Sequence, residues 1–209
     1  MKKPTWIVFE GIDGSGKTTQ AKMLCDYLNK NGVKSLYKHV FDSKAGELLR
    51  DIFINNTLSN TVEILILCAT RQAFFDEIVA DENKYDVILI DRLFLSILAM
   101  QGNNEKDIEL INYIKNAIGY KSDEFIVYYM ETLPDECKKR LSDKSTHDRI
   151  EEKGIEFHKV VFKRYLDLLS LEKNVFVFNG NNDIKCIHKN IVNKTLTLLF
   201  PDENKCDSS

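Results

Sequence analysis

The 209-residue chain has no basic excess: 29 lysines and arginines stand against 32 aspartates and glutamates, a formal charge of −3. That argues against a nucleic-acid surface, which needs clustered positive charge. Long hydrophobic runs are missing too. Stretches such as Val87–Ile90 are far too short to cross a bilayer. The five cysteines, Cys25, Cys68, Cys137, Cys186 and Cys206, are odd in number and scattered, with neither CxxC nor Cys/His spacing. A disulfide framework and a zinc site are therefore not expected, and the thiols read as reduced, in a cytoplasmic protein. The N-terminus enters a predicted strand by Thr5, which leaves no room for a secretory leader. Repeats, low-complexity tracts and linker-like gaps are absent as well. What remains is an ordinary soluble composition, 44% apolar and 29% charged, at a length suited to one α/β domain. The domain is expected over residues 1–200, with a polar tail at 201–209 that frays.

The chain is organised around Glu10–Thr19, EGIDGSGKTT. Gly11, Gly16, Lys17 and Thr18 fit the spacing glycine, four residues, Gly-Lys-Thr of a phosphate-binding loop. The apolar run Trp6–Phe9 leads in as a strand, and Ala21, Leu24, Cys25 and Leu28 mark one face of a helix leading out. Glycines at such a turn let backbone N–H groups converge on an anion, and the helix N-terminus adds partial positive charge. Gly11, Asp13, Gly14, Ser15, Gly16, Lys17, Thr18 and Thr19 are thus the candidate nucleotide-binding residues. Lys17 would reach the β- and γ-phosphates and Thr18 would offer its hydroxyl to Mg²⁺.

Strands are predicted at Thr5–Glu10, Ser35–Val40, Val87–Ile90, Phe125–Met130 and Val175–Phe178. Helices are predicted between them at Gly16–Asn31, Ala45–Ile54, Thr61–Ala80, Leu93–Met100, Asp107–Ile118, Pro134–Leu141, Arg149–Leu171 and Ile184–Leu199. The helix over Thr61–Ala80 is apolar enough to be well buried. The one from Arg149 should bury a stripe of Phe157, Val160, Val161, Tyr165, Leu168 and Leu169. Alternation of strand and helix implies a five-stranded parallel sheet with helices on both faces and right-handed crossovers. Ligands of such sheets sit at the carboxyl ends of the strands. Both the glycine loop and Asp91-Arg92 fall there.

Asp91 ends an apolar strand and is placed to hold Mg²⁺ directly or through water; the alternative is a cap for the next helix. Arg92 would grip a phosphate with paired hydrogen bonds, or else form a surface ion pair. Asp13 is an odd carboxylate among phosphate-binding amides unless a metal or sugar hydroxyl compensates it, or it merely stabilises its own turn. Arg71 lies among apolar residues and either snorkels to solvent or meets an anion in the cleft. Lys144, His147 and Arg149 lie in or just after a polar loop at about 142–150. A lid there would close cations over a transferring phosphoryl group, with Arg149 the main candidate. His158 reads as structural.

Together these segments resemble the thymidylate kinase family of P-loop nucleoside monophosphate kinases. The resemblance rests on FEGIDGSGKTTQ at Phe9–Gln20, on Asp91-Arg92 followed by Ser96, Ala99, Gln101 and Gly102, on DRIE at Asp148–Glu151 with Phe157-His158 and Tyr165, and on Arg71. It implies a three-layer P-loop fold with a short lid, and transfer of the γ-phosphoryl of ATP to a nucleoside 5′-monophosphate, dTMP above all. It further implies Mg²⁺ and a homodimer. By the resemblance Lys17, Asp13, Asp91, Arg92 and Arg149 carry the chemistry, Thr18 and Asp91 hold the metal, and Asp13, Arg71, Arg92, Leu67, Ser96, Ile97 and Met100 face the acceptor. Gly14 stands where some members place an arginine, which suggests a chain that takes its cation from the lid. Departures cluster on the base side. Leu67 replaces a stacking phenylalanine, Leu93 and Met100 replace tyrosines, Ile97 replaces a polar residue, and Lys38–Lys44 lacks the family's Arg-Glu-Pro-Gly-Gly. Another nucleotide acceptor is therefore an alternative, as is a regulatory protein that binds without turnover. Asn83-Lys84-Tyr85-Asp86 matches a guanine-reading pattern, but it precedes its strand and so falls at the wrong edge of the sheet.

Overall fold

The computed structural model describes residues 3–142 and 153–201. Strand β1 (Thr5–Glu10) runs into the glycine turn and helix α1 (Lys17–Lys30), followed by β2 (Ser35–His39), α2 (Lys44–Asn55) and α3 (Asn60–Val79). Next come β3 (Val87–Asp91), α4 (Phe94–Gln101), α5 (Glu105–Ala117), β4 (Phe125–Glu131) and α6 (Pro134–Ser142). The described chain resumes before α7 (Ile155–Leu169), β5 (Val175–Asn179) and α8 (Ile184–Leu199). The five strands form one sheet in the order β2-β3-β1-β4-β5, with all pairs parallel. This is the expected α/β architecture.

Alternation along the strands divides the core. Ile7, Phe9, Val87, Leu89, Tyr128 and Met130 face α1 and α8. Val8, Ile88 and Ile90 face the opposite way and pack with residues of α2, α3, α4 and α5. A third cluster joins Val127 and Tyr129 of β4 to Ile12, to Leu95 and Ala99 of α4, and to Val161 and Tyr165 of α7. β3 is buried at every position, as a central strand covered on both faces must be.

Several expectations need correcting. Helix α3 is not uniformly buried: Val62, Leu65 and Val79 are exposed, while the charged Glu63 and Arg71 are inside. Helix α7 begins at Ile155, not Arg149, because Gly154 stands at its N-cap with extended geometry (φ −56°, ψ 165°). Val160 leaves the predicted stripe and is exposed. Helix α5 starts at Glu105, where the Asn104 side chain accepts from the Asp107 N–H at 3.1 Å. Asn83-Lys84-Tyr85-Asp86 forms a 3₁₀ turn and its exit before β3, at the end of the sheet away from the glycine loop. Lys144, His147, Arg149 and nearly all of the expected lid lie outside the described residues, as does Cys206.

Candidate functional site

At the end of β1 the backbone turns through left-handed glycines, with φ +145° at Gly11, +80° at Gly14 and +96° at Gly16. Space is as limiting as the dihedrals. A Cβ on Gly11 would lie 2.9 Å from the Met130 carbonyl oxygen, and one on Gly14 would lie 2.7 Å from that of Cys137 on α6. Lys17, the first residue of α1, folds back over the turn and donates from Nζ to the Ile12 carbonyl at 2.8 Å. Burial lowers its pKa to about 8, aided by the Arg92 charge and opposed by Asp13, Asp91 and Glu10. The loop is therefore strung tight with an ammonium across its mouth, ready to exchange a carbonyl for phosphate oxygens.

Strand β3 lies beside β1, with Phe9 opposite Asp91. That register brings Asp91 to Thr18, whose hydroxyl donates to Asp91 Oδ2, and Tyr37 in the middle of β2 donates to the same oxygen at 3.2 Å. Asp91 Oδ1 is buried without a partner. The helix-cap alternative for Asp91 fails, since the N-cap of α4 is Leu93. A buried orphan carboxylate oxygen beside a threonine hydroxyl fits a hard cation such as Mg²⁺. Among the described residues no group of three His, Cys, Asp or Glu gathers around a common point. The pair therefore suits a cation that takes its remaining oxygens from phosphates and water.

Arg92 is the one described non-glycine residue at positive φ, +68°. Its guanidinium is buried and ion-paired with Asp13, and NH1 donates to the Gly11 carbonyl at 3.1 Å. Arg92 is thus no surface ion pair, and the partner that compensates Asp13 is an arginine, where the sequence pointed to a metal or a sugar hydroxyl. Burial alone would raise the Asp13 pKa, but Arg92 and Lys17 outweigh it and hold the carboxyl below its usual value. Burial is the largest single influence on Arg92 and pushes its pKa down, but Asp13, Tyr165, Asp91 and Glu10 together raise it, so its charge is permanent.

Arg71 settles toward the cleft. It is 2% exposed and donates to the carbonyls of Leu67 and Leu93 and to the hydroxyls of Thr70 and Ser96. Its Nε has no partner, and burial lowers its pKa to about 10 against the supporting charge of Glu10. Arg71 lines a cavity of about 120 Å³ with Leu67, Ser96, Ile97 and Met100. A larger cavity of about 730 Å³ covers residues 13–20 and extends past Arg140 to Asn182 and Ile184. Asp13, His39, Arg50 and Arg92 line both, so the two cavities meet over the glycine turn.

Sequence reasoning missed part of this wall. His39 and Phe41 stack with ring centroids 5.3 Å apart, and Arg50 lies 6.0 Å from the Phe41 ring. His39 ends β2 and Phe41 follows it, in the segment where the family pattern is absent, and Arg50 lies on α2, so no motif marked them. Tyr37 and Arg140 carried no local signal either. Gln101 sat inside a quoted motif; its Oε1 is buried without a partner while its Nε2 lies 3.4 Å from Glu63 Oε2. Glu10, also inside a motif, is fully buried, and its carboxylate accepts from the Leu93 N–H at 2.7 Å and the Tyr165 hydroxyl at 2.9 Å. Burial raises its pKa, against the opposing pull of Arg92.

A family model described as Thymidylate kinase matches residues 9–191. The chain is 33% identical to a thymidylate kinase of Campylobacter hominis over 191 residues, covering 88% of this chain and 96% of that protein. It is also 33% identical to a thymidylate kinase of a Thermoanaerobacter species over 201 residues, covering 91% and 96%. A thymidylate kinase of Kosmotoga olearia matches at 28% over 200 residues, with 93% and 96% covered.

Proposed function

From the premise that this chain belongs to the thymidylate kinase family, we propose that it transfers the γ-phosphoryl group of ATP to a nucleoside 5′-monophosphate, converting dTMP to dTDP. The observation that carries this reading is the meeting of two cavities at Asp13 and Arg92, one on the phosphate loop and one on Arg71. Two anionic nucleotides entering from opposite sides would bring their phosphates together there. In-line phosphoryl transfer needs that arrangement and little covalent help from the protein.

ATP would occupy the larger cavity, its phosphates on the N–H groups of residues 14–19 and on Lys17, its base toward Arg140, Asn182 and Ile184. Thr18 and Asp91 would hold Mg²⁺, which when bound neutralises phosphate charge. Arg92, fixed by Asp13, and Arg50 at the junction would take the acceptor phosphate. Asp13 keeps Arg92 aimed and leaves its second oxygen for a sugar hydroxyl or a metal-bound water. The base would enter between Leu67, Ile97 and Met100. Two unpartnered buried atoms line that end: Arg71 Nε, a donor, and Gln101 Oε1, an acceptor. A donor and an acceptor at that end would complement the C4 carbonyl and N3–H of thymine, and leaving such groups unpaired is costly enough to discriminate among bases.

Arg149, with Lys144, is proposed as the lid cation. A supporting point is Gly14, where an arginine side chain would run into α6, so the loop itself has no room for that cation. The lid at about 142–150 is read as part of one kinase domain over residues 1–200. A homodimer is proposed through Leu48 and Ile52 of α2 and Val62 and Leu65 of α3, exposed apolar residues on neighbouring helices. No described helix is long and apolar enough to cross a membrane, and Cys25, Cys68, Cys137 and Cys186 are free thiols. The proposed setting is a reducing cytoplasm, without nucleic-acid partners.

The test is ADP formation across a panel of nucleoside monophosphates with ATP and Mg²⁺. The expected result is turnover with dTMP well above ATP hydrolysis, abolished in Lys17→Ala. Preference for another base, notably guanine, which presents the same carbonyl and N–H edge, would shift the reading to the second acceptor class that Leu67, Ile97 and Met100 suggest. No turnover with any acceptor would reject the kinase.

A further inference from the structure

We propose that Glu10 is a positioning residue that sets both acceptor-side arginines through a single residue, Leu93, whose N–H it holds. The inference rests on the acceptor reading given above. Arg92 adopts φ +68°, a conformation that a side chain bearing a Cβ takes only when its surroundings hold it there. Its own N–H is taken by the Phe9 carbonyl at 3.0 Å. The following N–H, that of Leu93, is taken by Glu10 Oε1 at 2.7 Å. These two bonds fix the peptides on either side of the Arg92 Cα, and so the direction of its guanidinium.

The other side of Leu93 serves Arg71. The Leu93 carbonyl accepts from Arg71 NH2 at 3.3 Å and from the Ser96 hydroxyl at 2.8 Å, and Ser96 also lies 3.4 Å from that NH2. Moving Leu93 therefore displaces both arginines at once. Glu10 is itself held by Tyr165 of α7, whose hydroxyl donates to Oε2 at 2.9 Å and lies 3.5 Å from Arg92 NH1. A carboxylate with no exposure is an expensive way to satisfy one N–H. Here the same carboxyl feels the charge of both guanidiniums, Arg92 more strongly than Arg71, and both lower its pKa against burial. Glu10 lines neither described cavity of the nucleotide site, so it acts through Arg92 and Arg71 and not on substrate.

The experiment compares wild type with Glu10→Leu, Glu10→Gln and Tyr165→Phe, measuring KM for dTMP and for ATP separately and dTMP binding by titration calorimetry. Glu10→Leu keeps the size and removes the acceptor; it is expected to weaken dTMP about 30-fold while ATP stays within about 2-fold. Glu10→Gln retains a carbonyl oxygen for Leu93 and is expected to recover dTMP binding to within about 5-fold of wild type. Tyr165→Phe loosens one end of Glu10 and should cost about 5-fold, again on dTMP alone. Equal weakening of dTMP and ATP, or a folded Glu10→Leu that binds dTMP like wild type, overturns the proposal. If Glu10→Leu does not fold, Tyr165→Phe decides, and unchanged dTMP binding there overturns it. A failure of the kinase reading appears instead in the wild type, as an absence of monophosphate turnover.

Discussion

Arg71 carries its charge inside the protein against carbonyls and hydroxyls, with no carboxylate in an ion pair among the described residues. Such a group costs stability unless an anion or polar base completes it. Arg71→Met should therefore leave the free protein as stable as wild type or raise it by about 1–2 kcal/mol, read from urea unfolding. The same change should raise the KM for dTMP by at least about 50-fold. Loss of stability together with an unchanged KM would assign Arg71 to the core. His39 behaves in the opposite sense. Burial holds it neutral, with a pKa of about 4, and its Nδ1 accepts from the Phe41 N–H at 3.2 Å. Unfolded, it titrates near ~6.5. Between these values the unfolded chain binds the extra proton, so this contribution is present above about pH 6.5 and is lost as the pH falls toward 4. Between pH 7 and pH 5 that amounts to about 2 kcal/mol, which His39→Asn should remove from the difference between unfolding curves at the two values.

Among the elements, the glycine turn and α6 constrain each other. Gly14 has φ +80° and stands where a Cβ would be 2.7 Å from the Cys137 carbonyl oxygen. Gly14→Arg is expected to destabilise by about 2–3 kcal/mol and to add no activity, measured by thermal melting and ADP release. An active, stable Gly14→Arg would show that the loop has room for its own cation. Helix α3 was legible as a helix because its apolar content runs along 20 residues. Its burial was not, because residues apolar enough for a core also cover a face that no described element packs against. The start of α7 was placed too early because the charged run Asp148–Lys153 suits a helix's first turn, whereas Gly154 with extended geometry caps a helix that begins at Ile155.

At the scale of the whole molecule, α2 and α3 present Leu48, Ile52, Val62 and Leu65 to solvent on packed neighbouring helices. Single exposed apolar side chains need no explanation, but a cluster on two adjoining helices suits a self-complementary interface. Leu48→Glu combined with Leu65→Glu should convert a dimer to a monomer in sedimentation velocity, with folding retained because neither side chain belongs to the core. A wild-type monomer, or a variant that still dimerises, would remove this interface.

By itself the sequence determined the parts: a strand–glycine turn–helix, a second strand ending in Asp-Arg, and an alternation that forces a parallel sheet. Those features are local, since side-chain period and turn chemistry act over a few residues. What only the tertiary structure decided is which parts meet. Strand order and register brought Thr18 against Asp91, and Asp13 against Arg92, across 73 and 79 residues, and Tyr165 against Glu10 across 155. Such contacts depend on how separately formed elements dock, where no spacing along the chain carries the information. The wall of His39, Phe41 and Arg50 is the same case, because the end of β2 and helix α2 come near the phosphate loop only through β3 lying between β2 and β1.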